Sequence, residues 1–573
     1  MPILTLLIFL PLFFAILISF LKDYQVKEIK WLSIISAILQ FSIVVFLVTK
    51  FNIQSSGYQF IEEHKWITFG LGSLGKIQIN YLLGVDGLSI GLITLSAIIM
   101  LIATISSSSI SQKYKGYYVL IQLLSASIYG CFLSLDLFLF FIFFEFMLLP
   151  MFFLIGIWGG IRREYASIKF FLYTLVGSLL ILLVIVGLSI SVVNPAETAV
   201  NVGLIKDVVL FDDVVASKFS LLLHTDLRES GNLFVHSADI RLMSDPKNFA
   251  PNSIFSLTND MTIFGLHLRL VGFLLLLIGF LVKLPAFPFH TWLPDAHVEA
   301  PTPISVILAG VLLKIGSYGL IRFAYGIFPE GAHYFAFYVA LIGVISIIYA
   351  ALNALAMKDL KKMIAYSSVS HMGFILLGLA SLSIEGVNGA IIQQFSHGII
   401  AAMLFLIVGV LYERTHNRDI ENYRGLASKM PQYVTLTVIA FFASLGLPGF
   451  SGFIAEIFVF LGAFNSYNSL IPKYLVVIAT LGLLLGAAYY LWTLQRMYFG
   501  KYWLRGGQEW NLKMTDLTIR EKLVLIPLAI ITIYLGVYPQ QFIDFSTVYV
   551  HDFVNYVTHT GLENLILINK VIK

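Results

Sequence analysis

Apolar runs close to twenty residues long recur from one end of this sequence to the other, and a helix of about that length crosses the hydrocarbon core of a bilayer. Inside that core every backbone N–H and C=O needs a partner from the chain itself, so only helices and closed barrels can span it. Runs of this length select helices. They lie near Ile3–Leu21, Trp31–Thr49, Leu82–Ile105, Tyr117–Leu135, Asp136–Trp158 and Ile168–Val193. After a polar stretch they resume near Leu268–His290, Pro303–Ala324, Tyr334–Met357, Met363–Leu382, Val387–Tyr412, Tyr433–Phe464, Tyr474–Tyr498 and Leu523–Val537. The fold class is an all-α polytopic membrane protein with about 14 transmembrane helices. Composition agrees: 58% of the 573 residues are hydrophobic and 12% charged, against about 25% charged in soluble domains.

Several classes of function are excluded at once. The one cysteine, Cys131, cannot form an intramolecular disulfide or ligate an iron–sulfur cluster, and reads as a small buried apolar residue. The net charge of +4 resides mainly in loops and speaks to topology rather than to nucleic acid. Runs such as Gly70-Leu71-Gly72 are turns, because no strand–helix unit surrounds them as a nucleotide site requires. No basic residue precedes the first apolar run, which therefore reads as a retained span rather than a signal peptide.

Short loops rich in lysine and arginine face the cytoplasm. Here they are the odd-to-even connections, with Lys22, Lys27 and Lys30; Arg162 and Arg163; Lys358, Lys361 and Lys362; Arg414, Arg418 and Arg424; and Arg496, Lys501 and Arg505. The alternate short connections are almost free of base. Both termini are therefore expected on the periplasmic side of a bacterial inner membrane. The polar segment 194–267 becomes an external insertion, either a small ordered cap or a tolerated excursion.

Two spans are expected to break. Pro285 and Pro288 follow Leu284 in one, and Pro448 follows Leu447 in the other; proline removes a backbone donor and clashes with the preceding turn. Leu284-Pro285-Ala286-Phe287 resembles Leu447-Pro448-Gly449-Phe450. Five spans separate them, an odd offset that an inverted five-helix repeat would give. The division expected is 1–112 for the first three spans, 113–325 and 326–500 for two inverted repeats, and 501–573 for the last span and tail.

Ionisable residues fall at middle depth, where a charge is costly and marks ion or proton pathways. Glu145 lies within the fifth span, Lys283 beside the first break, Lys314 near the centre of the eighth span, and Glu456 after the second break. His371 and His397 lie inside two further spans. Glu145 and Lys283, opposite in sign and similar in depth, are natural partners. The series suits a proton: lysine repels Na⁺, whereas lysine, histidine and glutamate can each carry H⁺. His290, Asp295 and His297, past the first break, form either a proton inlet or a loop-stabilising network. Asp86 and Asp136 read as interfacial or capping residues.

The segments KLPAFPFHTWLPDAHVEAPTPISVILAGVLLKIGSYG, AYSSVSHMGF and LPGFSGFIAE resemble the motifs of the antiporter-like subunits of respiratory complex I and their Mrp antiporter relatives. The resemblance runs from about the third span to the thirteenth. It implies a proton-translocating membrane-arm subunit of NADH-quinone oxidoreductase, with Glu145 paired to Lys283, Lys314 as central relay, His371 and His397 as lesser relays, and Glu456 at the exit. A glutamate rather than a lysine at that last position decides among the paralogues. The resemblance also implies no cofactor in this chain, with FMN, iron–sulfur clusters and quinone in partner subunits. The implied partners are L- and N-type antiporter-like neighbours, the lateral helix of the L-type subunit, and lipid. The insertion 194–267 departs from the family pattern. Alternatives are an Mrp-type cation/proton antiporter subunit or a membrane-bound hydrogenase subunit.

Overall fold

The structure, a computed structural model, describes residues 2–72, 75–224 and 234–572. Among them, eleven helices are long and apolar enough to cross a membrane. They are Ile3–Phe20, Val26–Lys50, Ser89–Ser109, Tyr114–Leu133, Leu137–Trp158, Arg163–Ser191, Thr302–Tyr325, Ala336–Ala356, Leu360–Ala380, Ile384–Thr415 and Lys473–Tyr498. A bent pair, Ile519–Val537 and Gln540–Val571, meets at 68° and would make twelve. The remaining apolar stretches are shorter. Leu268–Lys283 stops after 16 residues, and Pro431–Ser444 and Ser451–Phe464 flank a gap.

Both proline-bearing segments are interrupted helices. After Lys283 the chain runs non-helically until Trp292–Glu299. In the second break Gly446 adopts φ +75°, open to glycine at no steric cost, and a side chain there would run into the Glu456 carboxylate. The Glu456 carboxylate therefore lies close against the unwound backbone.

The helices are not equivalent. Thr302–Tyr325 is 100% buried over its apolar window, and Leu360–Ala380 and Ile384–Thr415 are 94% buried. Ile3–Phe20, Val26–Lys50 and Lys473–Tyr498 are only 33–39% buried and form the rim. The three most enclosed helices are those that carry Lys314, His371 and His397. Enclosure by protein is what makes charge at this depth affordable. A methyl group on Gly316 would lie 2.7 Å from the Leu284 amide nitrogen, so the Lys314 helix packs directly on the first break.

Two expectations need correction. The third span does not begin at Leu82: Gln59–Gly70 and Lys76–Val85 pair as an antiparallel hairpin, and the helix starts at Ser89. The last six residues of the second strand include five fully buried ones, so its end is apolar on both faces and reads like the start of a span. The C-terminal tail, expected only as a remainder, is a single helix, Gln540–Ile572. It lies across the N-terminal end of the Ser89 helix and beside Pro329–Tyr334.

The insertion 194–267 is an ordered cap over most of its described length. Asn194 caps a short helix, Pro195–Asn201, through its side chain. Val235–Ser237 adds to the hairpin as a parallel third strand, and Val193, Ala199, Phe219, Phe234 and Ala250 form a separate small core. Residues 225–233 of this segment lie outside the described ones.

Candidate functional site

A buried polar line begins at Lys314, which has no solvent exposure. Its helix contains two π-helical stretches, Leu308–Leu312 and Leu320–Tyr325, on either side of the turn that holds the lysine. Such wide turns are uncommon and concentrate at functional sites. Lys314 Nζ donates to the Ala309 carbonyl at 2.6 Å and lies 2.8 Å from His397 Nδ1. The His397 and His371 rings follow, with centroids 5.3 Å apart.

From His371 the line forks. Its Nδ1 lies 3.6 Å from Glu456 Oε1 and 3.1 Å from the Gln393 amide nitrogen. Its Nε2 lies 3.2 Å from Ser444 Oγ, which contacts the Tyr490 hydroxyl at 2.7 Å, and Tyr490 in turn donates to Ser367 at 3.0 Å. Glu456 is 4% exposed. Four of the six residues singled out at middle depth thus meet in one connected cluster.

Glu145 and Lys283 stand apart from that cluster. They are near enough to interact electrostatically, yet no ion pair within 4.0 Å joins them among the described residues. The expected pair is therefore open. Lys283 Nζ has no hydrogen-bond partner and sits 4.8 Å from the Phe144 ring centroid and 5.8 Å from that of Phe170. Glu145 Oε1 is likewise unpartnered, and its side chain is half-buried beside Ser178. Similar depth set the two near one another but did not set the direction each side chain takes around its helix.

At the basic-loop face the three residues past the first break have separate roles. Asp295 forms an ion pair with Lys169 at 2.7 Å and so ties the broken helix to Arg163–Ser191. His290 packs against Phe287 and Tyr349. His297 is fully buried, stacks on Phe405 with centroids 4.4 Å apart, and has no hydrogen-bond partner on either ring nitrogen. Both Lys314 and Lys361 lie within electrostatic range of that ring.

Lys361 was legible only as one of several basic loop residues. It is 4% exposed, donates to the Ala300 carbonyl at 2.5 Å, and lines a vestibule of about 400 Å³ with Glu299, Asp359 and Arg418.

Two buried ion pairs at the opposite face were also beyond sequence reasoning. Arg322, two turns past Lys314, clasps Asp86 through contacts of 2.6 and 2.7 Å; Asp86 also accepts from the Leu88 and Ser89 amides. Arg269 binds Glu330 at 2.6 Å, with both side chains almost wholly enclosed. Asp136 caps its helix by accepting from the Phe138 and Leu139 amides. Among the described residues no group of three histidine, cysteine or acidic side chains could hold a metal ion.

The fold and the buried line define a polytopic membrane subunit of the antiporter-like kind. The family model described as "NADH:quinone oxidoreductase/Mrp antiporter, TM" matches residues 134–198 and 249–486, and the chain belongs to that family. It is similar to NADH-quinone oxidoreductase subunit M of Rickettsia bellii, with 37% identity over 573 residues covering 99% of each chain. Among solved structures it is similar to a chain of respiratory complex I from Thermus thermophilus, with 25% identity, a TM-score of 0.75, and coverage of 97% of this chain and 100% of that one. It also shares its fold with a chain of the Mrp complex from Dietzia, with 18% identity, a TM-score of 0.72 and full coverage of both. The family match skips 199–248, within the 194–267 insertion.

Proposed function

We propose that this chain is a proton-translocating membrane-arm subunit of NADH-quinone oxidoreductase, and that its protons move along Glu145, Lys283, Lys314, His397, His371 and Glu456. One observation carries the reading: Lys314, His397, His371 and Glu456 follow one another in contact through the most enclosed helices of the molecule.

Each group can hold a proton in one state and release it in another. The 2.8 Å approach of Lys314 Nζ to His397 Nδ1 requires that one of the two nitrogens present a lone pair. A proton bound at Lys314 therefore excludes one at His397 Nδ1, and transfer between them needs no large motion. His371 Nδ1 faces Glu456 Oε1 at 3.6 Å, outside hydrogen-bond distance, so transfer there needs the two groups to draw closer. On the other side, Lys283 lacks any polar partner, so closing or opening its approach to Glu145 would change how firmly it holds a proton. Redox chemistry in other subunits would drive that change. Lys361 and His297 supply the uptake branch from the basic-loop vestibule to Lys314.

The wider arrangement follows from this reading. Each broken helix counts as one span, which gives fourteen, and 113–325 and 326–500 are two inverted repeats with one break apiece. Both termini lie on the periplasmic side of a bacterial inner membrane. L- and N-type neighbours and the lateral helix of the L-type subunit flank the chain, and FMN, iron–sulfur clusters and quinone belong to partner subunits. The Mrp-type reading is the alternative, favoured by the shared fold over the full chain.

Lys283→Ala in native membranes separates the two. With assembly verified on a native gel, the complex I reading predicts that NADH-quinone activity and proton pumping fall together. Unchanged redox activity and pumping would mean that the chain belongs to another system or is only a spacer between its neighbours.

A further inference from the structure

A second site lies on the basic-loop face, away from the proton line. The helix Lys473–Tyr498 ends in a π turn at Leu494–Tyr498, and Gly500, at φ +91°, reverses the chain. Trp503–Leu504 then pairs with Tyr423–Arg424. A methyl group on Gly425 would meet the Gly500 carbonyl and the Tyr502 amide at 2.5 and 2.6 Å, so the two loops are pressed together. Between them opens a groove of about 1000 Å³ lined by Arg424, Arg496, Lys501, Arg505, Trp492 and Trp503.

The charge of this groove is poorly balanced from within. Glu421 is its one carboxylate; it lies 4.0 Å from Arg496 and is shared with Lys358 at 3.4 Å. Arg505 donates to the neutral Asn422 side chain at 3.1 Å. Among the described residues neither Arg424 nor Lys501 has an acidic partner within 4.0 Å. The aromatic lining is half-exposed, with Trp492 at 39% and Trp503 at 47%. Arg496 lies over the Trp492 ring at 4.0 Å and Arg424 over Trp503 at 5.5 Å.

Arg496 is in the last turn of a membrane-length helix, which sets the groove at headgroup depth rather than in hydrocarbon. Directly below, the same helix exposes Leu484 and Leu491, two turns apart on one face, which continues the groove toward the bilayer centre. Tryptophan and arginine at the level of the headgroups, above an apolar stripe, suit an amphiphile with a phosphate at its polar end. Guanidinium groups match phosphate oxygens in geometry as well as in charge.

We propose that this groove is a binding site for an anionic phospholipid, its phosphate held by Arg424, Arg496 and Lys501 and its acyl chains laid along Leu484–Leu491. The purified complex, delipidated in neutral detergent, is titrated with phosphatidylglycerol, phosphatidylcholine or inorganic phosphate. Bound lipid is read by native mass spectrometry. Phosphatidylglycerol is expected to bind, and its affinity to fall roughly 30-fold in Arg424→Gln/Arg496→Gln, at about 1 kcal/mol per charge removed. The Lys22→Gln/Lys27→Gln control, on the same face, is expected to bind as before. Lys501→Gln, an exposed change that leaves the packing alone, is expected to weaken binding in the same direction and guards against misfolding of the double variant. Equal binding of phosphatidylcholine, competition by inorganic phosphate, or unchanged affinity in both groove variants would overturn the proposal.

Discussion

Lys314 Nζ and His397 Nδ1 lie 2.8 Å apart on adjacent buried helices, and the Ala309 carbonyl is the other acceptor of the lysine. Two hydrogens cannot occupy that contact, so one of the two facing nitrogens presents its lone pair to the other. His397→Leu removes the acceptor and leaves Lys314 with a single backbone partner. Pumping is expected to fall on the order of tenfold or more. Lys314→Met and the double variant should do no further harm beyond the larger single effect, because the residues act as a unit. Proton flux in reconstituted vesicles checks this, and additive losses would contradict it.

The fork at His371 gives the proposed path two candidate exits, and they can be told apart. Glu456→Gln keeps the size of the side chain but cannot take up or release a proton. Pumping is expected to fall on the order of tenfold or more. Tyr490→Phe deletes the hydroxyl that bridges Ser444 and Ser367; it is expected to leave pumping within about twofold and to cost about 1 kcal/mol of stability. The reverse pattern would assign the exit to the hydroxyl branch.

Arg269 and Glu330 form a buried pair that also receives the Asn564 side chain of the C-terminal helix at 3.2 Å. Arg269→Met leaves Glu330 charged and uncompensated, at an expected cost of about 3–5 kcal/mol. Arg269→Met/Glu330→Gln should recover part of that loss. Thermal unfolding of the purified complex is the measurement. A single variant as stable as the parent would show that the pair contributes nothing.

Gly87 lies under the C-terminal helix: a methyl group there would sit 2.7 Å from the Phe545 carbonyl and 2.8 Å from Tyr549 Cβ. Gly87→Val is expected to lift that helix and destabilise its docking by about 1–3 kcal/mol. Gly70→Val, where nothing lies within 4 Å of an added Cβ, is the matched control. Limited proteolysis near residue 540 should accelerate in the first variant only.

How much of this was legible in the sequence depended on whether a residue broke a local pattern. Lys314, His371, His397 and Glu456 stood out because each interrupts an apolar run, and the breaks stood out because proline cannot continue a helix. Lys361 was hidden among ordinary loop lysines. Its burial against Ala300 and its nearness to His297 come from contacts across more than sixty positions of chain. The strand Lys76–Val85 was hidden for another reason: its buried end lacks the apolar–polar alternation that marks a half-exposed strand. The open approach of Glu145 and Lys283 depends on side-chain direction around two helices, which depth along the sequence does not encode. The C-terminal helix has an amphipathic pattern but falls short of a span in apolar content, so it passed as a tail.

The most direct test of the central claim is the number of protons pumped per NADH oxidised by the complex carrying Lys314→Met, reconstituted in sealed vesicles with assembly verified. A lowered ratio in a fully assembled complex is the predicted result, since the proposed path runs from the uptake branch through Lys314 to His397, His371 and Glu456. An assembled complex that pumps at the parental ratio would contradict the account.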